Sequence, residues 1–215
     1  GVELFVLDDG WFGKRSSDHA GLGDWQVNLE RLPNGITGLA KQMEELGLKF
    51  GLWFEPEMVN KDSDFYRQHP DWIIGTPGRS NSQGRHQYVL DFSRQEVVDA
   101  IYEQMEKLLR EAKLSYIKWD MNRSITECFS RGWPADRQGE VYHRYILGVY
   151  DLYERLTSEF PHVLFESCAS GGGRFDPGML YYAPQGWLSD DSDAVERLKI
   201  QYGASMCYPI SSMGA

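Results

Sequence analysis

Tyr116-Ile117-Lys118-Trp119-Asp120 is the stretch on which the fold turns. It reads as a short buried strand that stops on a carboxylate. Side chains alternate along a strand, so Lys118 and Asp120 point one way while Ile117 and Trp119 point the other. A solvated edge pair would have the same pattern, and a single such strand does not separate the two readings. Repetition does. Leu4 to Leu7 runs into Asp8-Asp9, Phe50 to Phe54 into Glu55, Val89-Leu90 into Asp91, Val163 to Phe165 into Glu166, and Trp187 to Ser189 into Asp190-Asp191. Six strands ending in acids predict one acidic mouth.

Working outward, strands alternate with amphipathic segments, which predicts βα units around a parallel sheet. After Asp91, Ser93 and Glu96 have the spacing of a capping box, and Val97, Ile101, Met105, Leu108 and Ala112 mark one helical face. Leu39, Met43 and Leu46 mark another face, closed by Gly47, in a helix over 36–46. A third helix is expected over 138–160, with Tyr145, Leu152 and Leu156 on one side. A fourth starts near Asp193, with Leu198 and Tyr202 buried. Strands near residues 3, 50, 88, 116, 163, 187 and 206 number seven. The economical fold is an α/β (β/α)8 TIM-type barrel that stops before its last βα unit. Polar loops at 10–30, 56–86 and 121–136 follow strand C-termini, the face where such barrels carry their active sites. A doubly wound sheet would need a Gly-rich phosphate loop after the first strand, and Asp8-Asp9-Gly10-Trp11-Phe12 would repel phosphate instead.

A net charge of -10 argues against nucleic acid as a partner. No apolar run approaches the roughly 20 residues of a membrane span, and no signal peptide opens the chain. Three cysteines, Cys128, Cys168 and Cys207, form neither a disulfide framework nor a metal motif, which places the protein in a reducing, cytoplasmic compartment. Seven Trp and twelve Tyr suit stacking on sugar faces, although such rings also fill cores. His19, His69, His86, His143 and His162 show no ligand spacing and read as surface or structural residues. No metal or other cofactor is expected, even though Asp8 and Asp9 could hold a cation.

Two carboxylates on different strands of one mouth are the minimum for glycoside hydrolysis. Lys118 beside Asp120 would favour the charged form, which suits a nucleophile. Crowding among Asp190, Asp191 and Asp193 would keep one acid protonated, which suits a proton donor, while the same crowding would also suit a metal or a helix cap. The segment Cys168 to Arg174, with Gly171, Gly172 and Gly173, reads as a plain turn or as glycines that let a bulky ligand approach the backbone.

Taken in order, Asp8-Asp9-Gly10-Trp11-Phe12, Gly51 to Met58, Lys118 to Arg123, Cys168 to Arg174, and Ser189-Asp190-Asp191 with Asp193-Ala194 resemble the catalytic barrel of glycoside hydrolase family 36, the microbial α-galactosidases or melibiases. The resemblance spans essentially the whole chain. It implies Asp120 as nucleophile and Asp190 as acid/base, with Asp191 the alternative. It also implies a galactose pocket of Asp8, Asp9, Trp53, Arg85, Lys118, Asn122, Cys168, Ser170 and Gly171. Further implications are an α-galactoside oligosaccharide substrate, bacterial origin, a tetramer, and flanking β domains and a pocket tryptophan outside this chain. Neighbouring activities that would use the same two aspartates are an α-N-acetylgalactosaminidase and a raffinose-synthase-like galactosyl transferase. A sugar-binding barrel without turnover is the non-enzymatic reading.

Overall fold

The computed structural model describes residues 1–214. Six parallel strands form one curled sheet of half-barrel form: β1 (Leu4–Leu7), β2 (Lys49–Phe54), β5 (Tyr116–Trp119), β6 (Leu164–Ser167), β7 (Gln185–Trp187) and β8 (Met213–Gly214), neighbours in that order. The order follows the chain without reversal, as in the wall of a barrel; a doubly wound sheet would switch direction. Two further strands, β3 (Met58–Asn60) and β4 (Gln87–Val89), pair antiparallel outside the sheet. The predicted strand near residue 88 is therefore real but joins no parallel partner. The predicted strand near 206 is overturned: that position follows the helix Ala194–Ser205, and the strand comes later, at Met213–Gly214.

Register explains which residues face where. Leu52, Ile117 and Phe165 lie side by side on three neighbouring strands, as do Trp53, Lys118 and Glu166 one residue on. The first row packs into the core under the helices, where Leu52, Ile117 and Phe165 are all buried. Trp119 shares that outward direction and stacks on Tyr153 at 4.0 Å between ring centroids. The second row carries polar groups and faces the concave side.

The helices are α1 (Gly35–Glu45), α2 (Asp64–Gln68), α3 (Gln95–Glu111), α4 (Val141–Glu159), α5 (Pro177–Tyr182) and α6 (Ala194–Ser205). In α3 the expected face of Val97, Ile101, Met105 and Leu108 is buried. Its predicted cap is not formed: Arg94 holds the N-cap position, and the Ser93 hydroxyl donates instead to Asp91, a shorter path than the backbone of the next turn. Helices α3 and α4 meet at Gly148, where a β-carbon would run into the Phe92 carbonyl oxygen. Asp193 does cap α6, accepting from the amides of Val195 and Glu196. The expected burial of Leu198 and Tyr202 fails, since they are 70% and 68% exposed and α6 buries no residue. Among the described residues no helix is long and apolar enough to cross a membrane.

Candidate active site

Five of the six acidic ends gather at the parallel sheet: Asp8-Asp9, Glu55, Asp120, Glu166 and Asp190-Asp191 belong to its strands or follow them directly. Asp91 does not join them. It follows β4, is buried, and accepts from the hydroxyls of Ser93 and Ser130.

Asp120, 7% exposed, closes β5. Its Oδ2 accepts from the Trp53 indole N–H at 3.1 Å and the Asn122 amide at 2.7 Å, and its Oδ1 accepts the Met121 backbone N–H at 2.8 Å. These three hydrogen bonds fix the rotamer of the carboxylate. Asn122 is oriented in turn, because its Oδ1 accepts the Ser170 hydroxyl at 3.0 Å. Ser170 has a left-handed φ of 48°, an uncommon conformation for a residue with a β-carbon. The buried Cys168 thiol lies against Asp120; burial first, and then that carboxylate's charge, push the thiol well above the usual range, so it is held neutral.

Lys118 does not serve as the close partner of Asp120 that sequence alternation suggests. Its Nζ donates to Asp8 Oδ2 at 3.1 Å. Burial pulls its pKa down, but the charge and hydrogen bond of Asp8, with smaller help from Cys168 and Asp120, leave it above the ordinary lysine value. The reason is lateral: Asp8 follows β1, so it lies in the row of Trp53 and Lys118, whereas Asp120 lies two residues further along the same strand. Asp9 is engaged by a buried arginine, with Arg15 Nε 2.9 Å from Oδ1 and Nη2 2.7 Å from Oδ2.

Asp190 Oδ1 accepts the Trp187 indole N–H at 2.9 Å, and the Trp187 ring lies 5.6 Å from Lys118 Nζ. The expected crowding of three acids resolves into separate duties, since Asp191 accepts the Asp193 amide and Asp193 caps α6. Gly171 and Gly172 are packed against the protein's own backbone. A β-carbon on Gly171 would sit 2.8 Å from Ser189 Cα and 3.0 Å from the Leu188 oxygen, and the Gly172 amide donates to that oxygen at 2.8 Å. The turn after β6 is thereby stitched to the segment that presents Asp190.

A cleft of about 460 Å³ opens beside these groups, with Arg85, Asn122, Arg123, Ala169 and Ser170 among its walls. Of the expected pocket residues, Arg85, Asn122 and Ser170 share this cleft, while Asp8, Lys118 and Trp53 belong to the neighbouring strand-end row.

Two carboxylates here were not singled out as individual contributors by sequence. Glu55 is fully buried; Oε1 accepts the Asn122 backbone N–H at 2.5 Å and Oε2 accepts the Gln87 amide at 3.1 Å. Burial, and next the charge of Asp120, push its pKa up to about 8 against the opposing hydrogen bonds of Asn122 and the charge of Arg85. Glu57, also fully buried, accepts from Trp119 Nε1 at 2.8 Å, the Tyr145 hydroxyl at 2.5 Å, and both terminal nitrogens of Arg174 at 2.9 and 2.7 Å. Their signal was the sequence Glu55-Pro56-Glu57, two acids directly after an apolar strand. For donor sets that could hold a metal, one group gathers among the described residues: Asp18, His19 and His86, which sequence spacing assigned to surface roles.

Comparison with known proteins gives a consistent result. The melibiase family model matches residues 1–215. The α-galactosidase AgaA of Geobacillus stearothermophilus is 60% identical over 215 residues, covering 100% of this chain and 30% of its own length. Mel36A of Lactobacillus acidophilus, also an α-galactosidase, is 55% identical over 213 residues, 99% of this chain and 29% of its own. A crystal structure of an AgaA variant in complex with raffinose superposes with a TM-score of 0.99 at 60% identity, across 100% of this chain and 30% of that one. This chain thus spans about a third of the length of the relatives it matches.

Proposed function

The chain belongs to the melibiase family, glycoside hydrolase family 36, and from that premise we propose that it forms most of the catalytic (β/α)8 barrel of a retaining exo-α-galactosidase acting on raffinose-type oligosaccharides. The observation that carries the reading is Asp120: a carboxylate at a strand's C-terminal end, held by three N–H donors, beside an open cleft walled by Arg85, Asn122 and Arg123. Asp120 attacks the anomeric carbon to give a covalent β-galactosyl ester, and Asp190 gives its proton to the departing glycosidic oxygen. Asp190 then takes a proton from water, which attacks the same carbon and frees galactose. Direct attack calls for carboxyl groups roughly 5 to 5.5 Å apart, and the Gly171–Leu188 stitch supports a fixed separation.

The residues around Asp120 divide the remaining work. Lys118 and Asp8, one donor and one acceptor paired across β2, are suited to adjacent sugar hydroxyls, as are Arg85 and Asn122 on the cleft wall. Asp9, Trp53, Cys168, Ser170 and Gly171 belong to the same proposed pocket, Asp9 through the face that Arg15 leaves open. The intact protein is expected to carry flanking β domains and to assemble as a tetramer. No cofactor takes part in these steps. Complexes of AgaA variants with raffinose and with stachyose support the substrate class.

Trapping the intact protein with a 2-deoxy-2-fluoro α-galactoside bearing a good leaving group, followed by peptide mapping, tests the mechanism. The label is expected on Asp120. A label on any other residue, or inversion at the anomeric carbon of the released galactose, overturns it.

A further inference from the structure

Two histidines that sequence spacing leaves unrelated meet next to Arg85, a wall residue of the cleft. The rings of His19 and His86 stack at 3.5 Å between centroids with planes 26° apart, and Asp18 carries its carboxylate 3.5 Å from His19 Nε2. One donor atom from each of the three residues lies within 4.8 Å of the others. A zinc-sized ion needs N and O ligands at about 2.0 to 2.2 Å, which puts ligands about 3 to 3.5 Å apart. The Asp18–His19 pair already has that spacing. All three side chains are exposed, so the two rings are free to leave their stack and turn one nitrogen each toward a shared ion.

The backbone beneath the cluster is built, not loose. Asn60, fully buried, donates its side-chain amide to the Asp18 carbonyl at 3.0 Å and to the His86 carbonyl at 2.9 Å. Its oxygen accepts the Leu22 amide at 2.8 Å and Arg15 Nη1 at 3.1 Å. One buried amide therefore ties together the two chain segments that carry the three donors. Arg85 and His86 are both left-handed, at φ 50° and 60°, a conformation non-glycine residues adopt only where the surroundings impose it.

We propose that Asp18, His19 and His86 form a binding site for one borderline divalent transition-metal ion, with Zn²⁺ as the test ion. Two imidazoles and one carboxylate suit Zn²⁺, Ni²⁺, Co²⁺ or Cu²⁺ and do not suit Ca²⁺ or Mg²⁺, which take oxygen ligands. The three protein ligands leave further positions for water. The ion sits outside the two-carboxylate chemistry and acts as a staple: it fastens the 10–30 segment to the turn that presents Arg85 to the cleft.

The experiment uses the intact, tag-free protein with isothermal titration of Zn²⁺, hydrogen exchange over residues 78–86, and Co²⁺ absorption. Wild type is expected to bind one ion per chain and to slow exchange in that turn on binding. His19→Ala and His86→Ala are each expected to weaken binding at least about tenfold, while His143→Ala, on α4, leaves it unchanged. Affinity unaltered in both His19→Ala and His86→Ala, no binding below millimolar concentration, or a thiolate-to-cobalt charge-transfer band marking Cys128 or Cys207 as the ligand, overturns the site. Unchanged apo melting temperatures show that the variants are folded, so loss of binding reports the ligands and not the scaffold.

Discussion

Glu55→Gln gives the sharpest test of how the mouth is held together. In the folded protein Glu55 titrates near 8, whereas in the unfolded chain it titrates near 4.5. Between those values the folded state holds a proton that the unfolded state releases, so stability is full below about 4.5 and falls as pH rises through about 8. Each pKa unit corresponds to about 1.4 kcal/mol. From pH 6 to pH 8 the two units amount to about 3 kcal/mol lost by wild type. Glutamine keeps the shape and an acceptor for the Asn122 amide but carries no charge, so that loss should vanish. For a unit of this size 1 kcal/mol shifts Tm by about 2 to 4 °C, which makes the gap that opens between pH 6 and pH 8 about 6 to 12 °C in favour of Glu55→Gln, shrinking towards pH 5. Differential scanning calorimetry of both proteins across pH 5 to 9 reads it. Parallel profiles would refute the claim that Glu55 is a buried, protonated neighbour of Asp120. Because Asp120 is the second cause of the shift, Asp120→Asn should narrow the pH range over which the loss accumulates without abolishing the loss.

Three further outcomes follow from the geometry. Asp190→Asn should slow hydrolysis of raffinose by about 10²- to 10⁴-fold yet spare aryl galactosides with acidic leaving groups far more; equal loss on both, in steady-state assays, would remove Asp190 as the proton donor. Asn122→Ala strips one donor from Asp120 and the acceptor from Ser170, a loss of about 1.5 to 3 kcal/mol for hydrogen bonds to a charged group, so kcat/KM should fall about 10- to 100-fold in steady-state assays run well below the variant's Tm. Gly148→Ala wedges α4 away from the chain at Phe92 and should destabilise by about 1 to 3 kcal/mol in denaturant unfolding; an unaltered midpoint would mean that this contact is looser than described.

The legible parts of the fold were those where one periodic pattern meets one environment. The α3 face is strongly periodic and packs as its sequence implies. Val89-Leu90 has strand composition too, but composition does not say which strand it will pair with, and β4 found β3. Helix α6 misleads because Leu198 and Tyr202 have helical spacing without any packed surface beneath them. At the site, alternation placed Lys118 and Asp120 on one face, while the lateral register that hands Lys118 to Asp8 is a property of three strands together. The His19–His86 meeting was invisible for the same reason, being a contact between two loops held by Asn60.

The stitch between Gly171–Gly172 and Leu188 also bears on the carboxylate pair. Asp120 and Asp190 are joined by a short relay of main-chain links: the Cys168 amide on the Trp119 carbonyl, the turn through Gly171, and the Gly172 amide on Leu188. The strand ends that carry Asp120 and Asp190 are thus tied to each other by main-chain links. Under the proposed chemistry, two glycines that carry no functional group help to hold the strand ends from which both carboxylates project.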